Sequence, residues 1–341
     1  MGYPKQSRRG FIKNLAAAPI GIFALAPGRK AMAGTMQSAL VSALPFLKSE
    51  VVVATRNSAA DRNGTPNGGE VLGLLNDSIV AATGKSEPRA SWRSLFGPKD
   101  IVGIKVNCLA GYGLSTHAEL VAAIVHGLES AGVPRNNIIV WDRAERELAA
   151  VGFTSAGVNG ARVLATDSRG VGYERDIEFS GDVGSCFSKI ISRMCTAIIN
   201  VPVLKDHDLS GVSLGMKNFY GVIHNPNKYH DNNCNPYIAD LCAHPLIAKK
   251  LRLVICDGLK GQYHGGPAFR PQWSWPAATL LVGNDPVAVD RVGLEIIEEK
   301  RREMGMASLK DSGRGADYIE TASRRGLGIA QIEKISKIIV S

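Results

Sequence analysis

Ile101-Val102-Gly103-Ile104-Lys105-Val106-Asn107 is a short apolar run, rich in β-branched residues, that ends on polar groups. The same design returns at Ile138-Ile139-Val140-Trp141-Asp142. Runs this short and this continuously apolar suit strands covered on both faces, as in parallel sheets whose crossovers are helices. Similar runs occupy residues 51–54, 197–204, 251–256 and 279–282, and the tail 332–340 has the composition of a last strand. Pro202 cannot donate to a ladder, so 197–204 is expected to be an edge or interrupted strand.

Between the runs the apolar period lengthens to that of a helix. Thr116-x-x-Glu119 has the form of a capping box ahead of a stripe of Leu120, Val121, Ile124 and Leu128, with Gly132 and Pro134 as the stop. Asp285-Pro286 supplies an N-cap and a first-turn proline for a helix running to about Met304. Val289, Val292, Ile296 and Ile297 of that helix would face the core, and the charge run 298–303 would be its solvated end. Residues 57–69 and 258–276, punctuated by glycine, are expected to be loops. The fold predicted is α/β, a mixed, largely parallel sheet covered by helices, in a single domain over residues 34–341, with two lobes as the alternative.

Near the start, Ser7-Arg8-Arg9-Gly10-Phe11-Ile12-Lys13 has the form of a twin-arginine export signal. An apolar run over 15–27, a basic Arg29-Lys30 and the small-residue site Ala31-Met32-Ala33 complete a removable targeting segment over residues 1–33. The apolar run is shorter than the roughly 20 residues of a membrane span, so none is expected in the mature chain; retention of the segment as an uncleaved anchor is the alternative. The partner implied is the twin-arginine translocase, and the destination is the periplasm. Because that route carries folded passengers, a metal ion or an organic cofactor loaded in the cytoplasm is in keeping with it.

The formal charge of +9 suggests a polyanion partner until the signal is set aside. Lys5, Arg8, Arg9, Lys13, Arg29 and Lys30 account for six of the nine, leaving +3 with no dense basic tract, so no nucleic acid is expected. The cysteines at 108, 186, 195, 234, 242 and 256 form no Cys-x-x-Cys and no ferredoxin run, which removes iron-sulfur ligation. Their disulfide pairing stays open.

The carboxyl ends of the expected strands carry the chemistry. Lys105 and Asn107, Asp142, Lys205, Asp257, and Asn284-Asp285 close successive runs, and in an open parallel sheet such ends share one edge where ligands bind. The plainer alternative is that strands stop where polar residues begin. Lys205-Asp206-His207-Asp208-Leu209-Ser210-Gly211 and then Met216-Lys217-Asn218-Phe219-Tyr220-Gly221 bring lysines, a histidine and an amide together, a set suited to a carboxylate or phosphate. Read otherwise, Lys205 and Lys217 are surface charges and Asn218 a cap. Neither a Walker nor a Rossmann spacing is present, nor a Gly-x-Ser-x-Gly elbow.

His224, His230, Asp231, Cys234, Asp240 and His244 crowd a polar stretch, with His230 and Cys234 the candidate metal ligands, though not at zincin spacing. His117 and His126 are expected to be surface residues of the capped helix. Asp257 and Asp290 could orient a histidine or hold a cation.

The segments Val102-Gly103-Ile104-Lys105-Val106-Asn107, Ile138-Ile139-Val140-Trp141-Asp142-Arg143, Leu204-Lys205-Asp206-His207, Lys217-Asn218-Phe219-Tyr220-Gly221, Asp257-Gly258, Gly265-Gly266-Pro267 and Asp285-Pro286-Val287-Ala288-Val289-Asp290 follow one another in an order that resembles a bacterial and archaeal family known as domain of unknown function 362. The likeness spans roughly residues 50–300. It implies an α/β fold and brings no settled activity. Some relatives look fused to ferredoxin-like cysteine modules, which hints at redox work; this chain has no such module, so redox chemistry would need a partner protein or an embedded cofactor.

The expectation is therefore an exported, cofactor- or metal-dependent enzyme in which Lys105, Asn107, Lys205, Lys217 and Asn218 hold an anionic substrate or cofactor group. His207 would act as acid or base with a pKa near working pH, and Asp257 or Asp290 would support it. The rival expectation is a non-catalytic periplasmic ligand carrier or redox-accessory protein using the same cationic edge.

Overall fold

Apolar residues alternate across the strands of this protein, and the two sets pack into separate cores on opposite faces of one large sheet. The computed structural model describes residues 49–154 and 158–341, so the export segment expected over residues 1–33 lies outside the described residues.

The strands are β1 (Ser49–Thr55), β2 (Val102–Lys105), β3 (Ile138–Asp142), β4 (Arg162–Ala165), β5 (Glu178–Ser180), β6 (Val183–Ser185), β7 (Ala197–Asn200), β8 (Val203–His207), β9 (Gly211–Val212), β10 (Leu251–Gln262), β11 (Ser274–Trp275), β12 (Thr279–Gly283) and β13 (Ile335–Val340). The helices are α1 (Gly68–Thr83), α2 (Pro88–Leu95), α3 (Ala118–Ser130), α4 (Glu145–Ala150), α5 (Gly215–Asn218), α6 (Tyr237–Cys242), α7 (Pro245–Ala248), α8 (Pro286–Glu303) and α9 (Tyr318–Arg324). None of them is long and apolar enough to cross a membrane.

The sheet runs in the order β13-β1-β12-β10-β7-β2-β3-β4. Parallel pairing joins β10 through β4 and also β13 to β1, while β12 runs antiparallel to both of its neighbours. The mixed, largely parallel α/β sheet is the one expected from the apolar runs. Val102 and Ile104 of β2 enter the core covered by α1, α2 and α3, where Leu74, Trp92 and Ile124 are buried. Lys105 therefore points to the opposite face, which α5, α6, α8 and α9 cover with Met216, Ile238, Val292 and Tyr318.

One expectation is decided between its alternatives and three are corrected. The run 197–204 is two strands: β7 ends at Asn200, the chain turns through Val201 and Pro202, and β8 pairs with the far half of β10. Interruption, not an edge position, is the consequence of the proline, since β7 lies inside the sheet between β10 and β2. Residues 258–262, expected in a loop, continue β10. Their glycines serve close approach: a Cβ on Gly258 would stand 2.7 Å from the Thr279 carbonyl oxygen, and one on Gly261 2.5 Å from the Trp275 ring.

The expected capping box is absent, because the Thr116 hydroxyl donates to the Val201 carbonyl (2.8 Å) and His117 takes the N-cap position of α3. Finally, Arg301 within the charge run is buried, its guanidinium donating to the carbonyls of Tyr263 (3.0 Å) and Ala307 (2.7 Å).

Asp285 caps α8 as expected. Its Oδ1 accepts from the amides of Val287 and Ala288, both at 2.9 Å, and its Oδ2 accepts from Ile329, also at 2.9 Å, so one buried carboxylate ties the start of α8 to the segment leading into β13. Replacing Asp285 with Ala would orphan three buried amides and is expected to cost about 2–4 kcal/mol, above the ~1 kcal/mol of an ordinary cap. Urea unfolding of the Asp285→Ala variant measures this.

Candidate functional site

In register, Lys105 lies beside Asn200 of β7 and Trp141 of β3. A lysine there is stripped of water, and its three ammonium protons all find acceptors: Asp142 Oδ1 at 2.8 Å, the Val106 carbonyl at 2.8 Å and Asn218 Oδ1 at 3.2 Å. Asp142, closing β3, accepts in turn from the amides of Cys108 (2.9 Å) and Arg143 (2.8 Å). A buried ion pair stands only when its remaining protons and lone pairs are bonded in this way. A Cβ on Gly221 would lie 2.9 Å from Lys105 Nζ and 3.1 Å from Asp142 Oδ1, so the backbone passes over the pair there only as glycine.

Two amides extend the network. Asn218 Oδ1 also accepts from Asn107 Nδ2 at 3.0 Å, and Asn218 Nδ2 donates to Asn200 Oδ1 at 2.7 Å. Asn107 Oδ1 accepts from Lys205 Nζ at 2.7 Å. Lys205 is fully buried, and burial pushes its pKa down to about 8 against the opposing pull of Asp142. Neither Lys205 nor Lys217 is a surface charge.

Helix α5 is a single turn, too short to stand on propensity. Asp290 of α8 holds it by accepting from Gly215 N (2.7 Å) and Met216 N (3.1 Å), while Asn200 Nδ2 donates to the Gly215 carbonyl at 2.7 Å. The turn sets Lys217 Nζ 2.9 Å from His230 Nε2 and 3.8 Å from the centroid of the Tyr220 ring. His230 Nδ1 lies 3.1 Å from the Pro226 carbonyl and donates to it, which leaves Nε2 as acceptor for Lys217. Burial pushes Lys217 down to about 8, and burial and Lys217 together lower His230.

His207 does not titrate near neutrality, which corrects the expectation. Burial, then the charges of Lys217, His230, Lys205 and Arg314, push it down to about 2, and the exposed Asp208 carboxylate 3.0 Å from Nδ1 does not offset them. The amides of Leu209 (3.1 Å) and Ser210 (3.3 Å) donate to Nδ1, which assigns the proton to Nε2. His207 is a neutral hydrogen-bond donor stacked 5.7 Å from the His230 ring.

Lys105, Asn107, His207, Lys217 and Asn218 line one cavity of about 330 Å³, with Asp142, Arg143, Arg146, Glu147, Tyr220 and His230 also on its wall. A second cavity of about 550 Å³ shares Arg143, Arg146 and Glu147 with the first. Lys205 stands behind Asn107 and is not part of the lining.

Asp257 and Asp290 do not join them. Asp290 serves the α5 amides and the Tyr318 hydroxyl (2.9 Å), and burial raises it to about 7. Asp257 does orient a histidine, but that histidine is His117, whose backbone N (2.8 Å) and Nδ1 (2.9 Å) it binds. His117 is thus no free surface residue; burial works against its charge, but Asp257 outweighs burial and raises its pKa.

Cys234 is buried, with Sγ directed at the His230 carbonyl oxygen rather than the ring. Among the described residues no group of three or more His, Cys, Asp or Glu gathers to hold a metal ion. All six cysteines are free thiols in the structure.

The family described as domain of unknown function (DUF362) matches residues 102–295, from the start of β2 into α8. The chain belongs to the DUF362 family. No curated protein matches it. The matched span of this DUF362 chain holds every residue of the network from Lys105 to Asp290.

Some participants escaped the sequence. Asp142 was visible only as a strand end, and Asn200, a polar residue inside an apolar strand, was a signal passed over. Arg143 and Tyr220 stand in the sequence only inside the family-resembling segments, and Arg146 has no signal there.

Removing one partner of a buried pair leaves the other charge uncompensated. Asp142→Asn is expected to destabilise the protein by about 3–5 kcal/mol in denaturant unfolding. The double change Lys105→Met with Asp142→Asn should cost less than the single one.

Proposed function

We propose that this DUF362 protein is an exported enzyme that binds a small carboxylate or phosphate in the cavity at the strand ends. The observation that carries this reading is the imbalance of charge. Lys105, Lys205 and Lys217 converge on the cavity or directly behind it, and Asp142, already paired to Lys105, is the one carboxylate that forms an ion pair with any of them among the described residues. Lys217 lacks a carboxylate partner there, so a bound anion would supply the missing charge. His207 would donate its Nε2–H to such a ligand.

The twin arginines at 8 and 9 support export. Replacing both with Lys is expected to leave the protein in the cytoplasm of its native host, as fractionation and blotting would show.

Pyruvate, whose own charge is constant between neutral and alkaline pH, is a suitable probe. It is expected to raise the melting temperature at pH 7 and to lose that effect as pH rises through about 8. The sign follows from Lys217: in the free protein the ammonium gives up its proton near 8, and an anion binds the protonated form better. Lys217→Met should weaken binding at pH 7 about tenfold, or ~1.4 kcal/mol, by calorimetry. Binding that is indifferent to both pH and Lys217 would overturn the reading.

A further inference from the structure

We propose that Lys217 is an imine-forming residue whose ε-amine condenses with the carbonyl carbon of a small 2-oxo carboxylate held in the cavity. This rests on the anion-binding reading and names a substrate class for it. Three lysines reach the region, and geometry separates them. Lys105 spends all three of its protons on acceptors that include a carboxylate. Lys205 sits behind Asn107, away from the lining. Lys217 alone of the three combines a place on the cavity wall with neutral partners, an imidazole nitrogen at 2.9 Å and an aromatic face at 3.8 Å.

Both neighbours are uncharged, so loss of the Lys217 proton leaves no carboxylate without a counter-charge. Burial lowers its pKa to about 8, so more of it is free amine near neutral pH than of an exposed lysine. The ammonium proton that must leave first goes to solvent, and His230 holds the amine in place, because its Nδ1–H is committed to the Pro226 carbonyl and its Nε2 faces Lys217. The substrate carboxylate has the Nε2–H of His207 and the guanidinium of Arg143 on the same lining.

The step balances without an oxidant or reductant. The Lys217 nitrogen lone pair forms a bond to the carbonyl carbon, the carbonyl oxygen gains a proton and the nitrogen loses one. The carbinolamine then expels that oxygen as water with the second amine proton, leaving a C=N bond. The imine withdraws electrons from the neighbouring carbon, which suits breaking of a C–H or C–C bond beside the carbonyl.

The test is to incubate the full-length protein with pyruvate and sodium cyanoborohydride, which reduces an imine to a stable secondary amine, and to map the product by peptide mass spectrometry. The expected result is one reduced pyruvate unit per chain, on Lys217, formed faster as pH rises toward 8, and absent from Lys217→Arg. Mapping in the unaltered protein needs no variant to fold. Labelling on other lysines at a comparable rate, or none at all, overturns the proposal. Melting temperature with pyruvate and no reductant separates the two readings. Stabilisation without an adduct removes the imine and leaves anion binding standing; neither effect removes both.

Discussion

The buried ion pair between Lys105 and Asp142 sets the geometry of everything around it. Stripping two charges of water costs several kcal/mol each, and attraction alone seldom recovers that. The chain therefore surrounds the pair, itself carried by β2 and β3, with a carbonyl, an amide side chain and two backbone N–H groups that come from α5 and the turns following the two strands. Once those bonds form, the elements cannot slide past one another. The same requirement excludes a side chain at Gly221 and fixes the orientation of Asn218, through which Asn107, Asn200 and Lys205 are drawn in.

The buried carboxylates divide between scaffold and site, and most go to the scaffold. Asp290 builds the one-turn helix that carries Lys217 and Asn218, Asp285 anchors the start of α8, and Asp257 holds the entry to α3 through His117. What is left beside the cavity is mainly nitrogen. That surplus explains why His207 and His230 stay neutral: burial and neighbouring cations both oppose a further positive charge. An acid or base with an ordinary histidine pKa is therefore not what this cavity holds. Lys217 on its wall, and Lys205 behind Asn107, are instead lowered toward neutrality.

Much of the architecture was legible because strand burial writes itself into composition. The apolar runs that became β1, β2, β3 and β12 need no context beyond their neighbours along the chain. Where glycines served packing against a distant Thr279 carbonyl or the Trp275 ring, as in the second half of β10, the local pattern read as loop, since nothing nearby in sequence reports a close approach. Arg301 looked solvated because its carbonyl partners belong to other segments. His117 looked like a helix-surface residue because its carboxylate lies on a strand far along the chain.

For the site, the sequence by itself determined the inventory and the meeting place. Polar residues ending parallel strands share one sheet edge, which placed Lys105, Asn107, Lys205 and His207 in one region, while Lys217 and Asn218 follow them closely along the chain. Tertiary structure alone decided the roles, because protonation and reactivity depend on burial and on partners distant along the chain. Asp142 neutralises Lys105, Asn107 screens Lys205 from the cavity, and a neutral imidazole faces Lys217. No local pattern encodes those pairings, and they separate three lysines that look alike in the sequence.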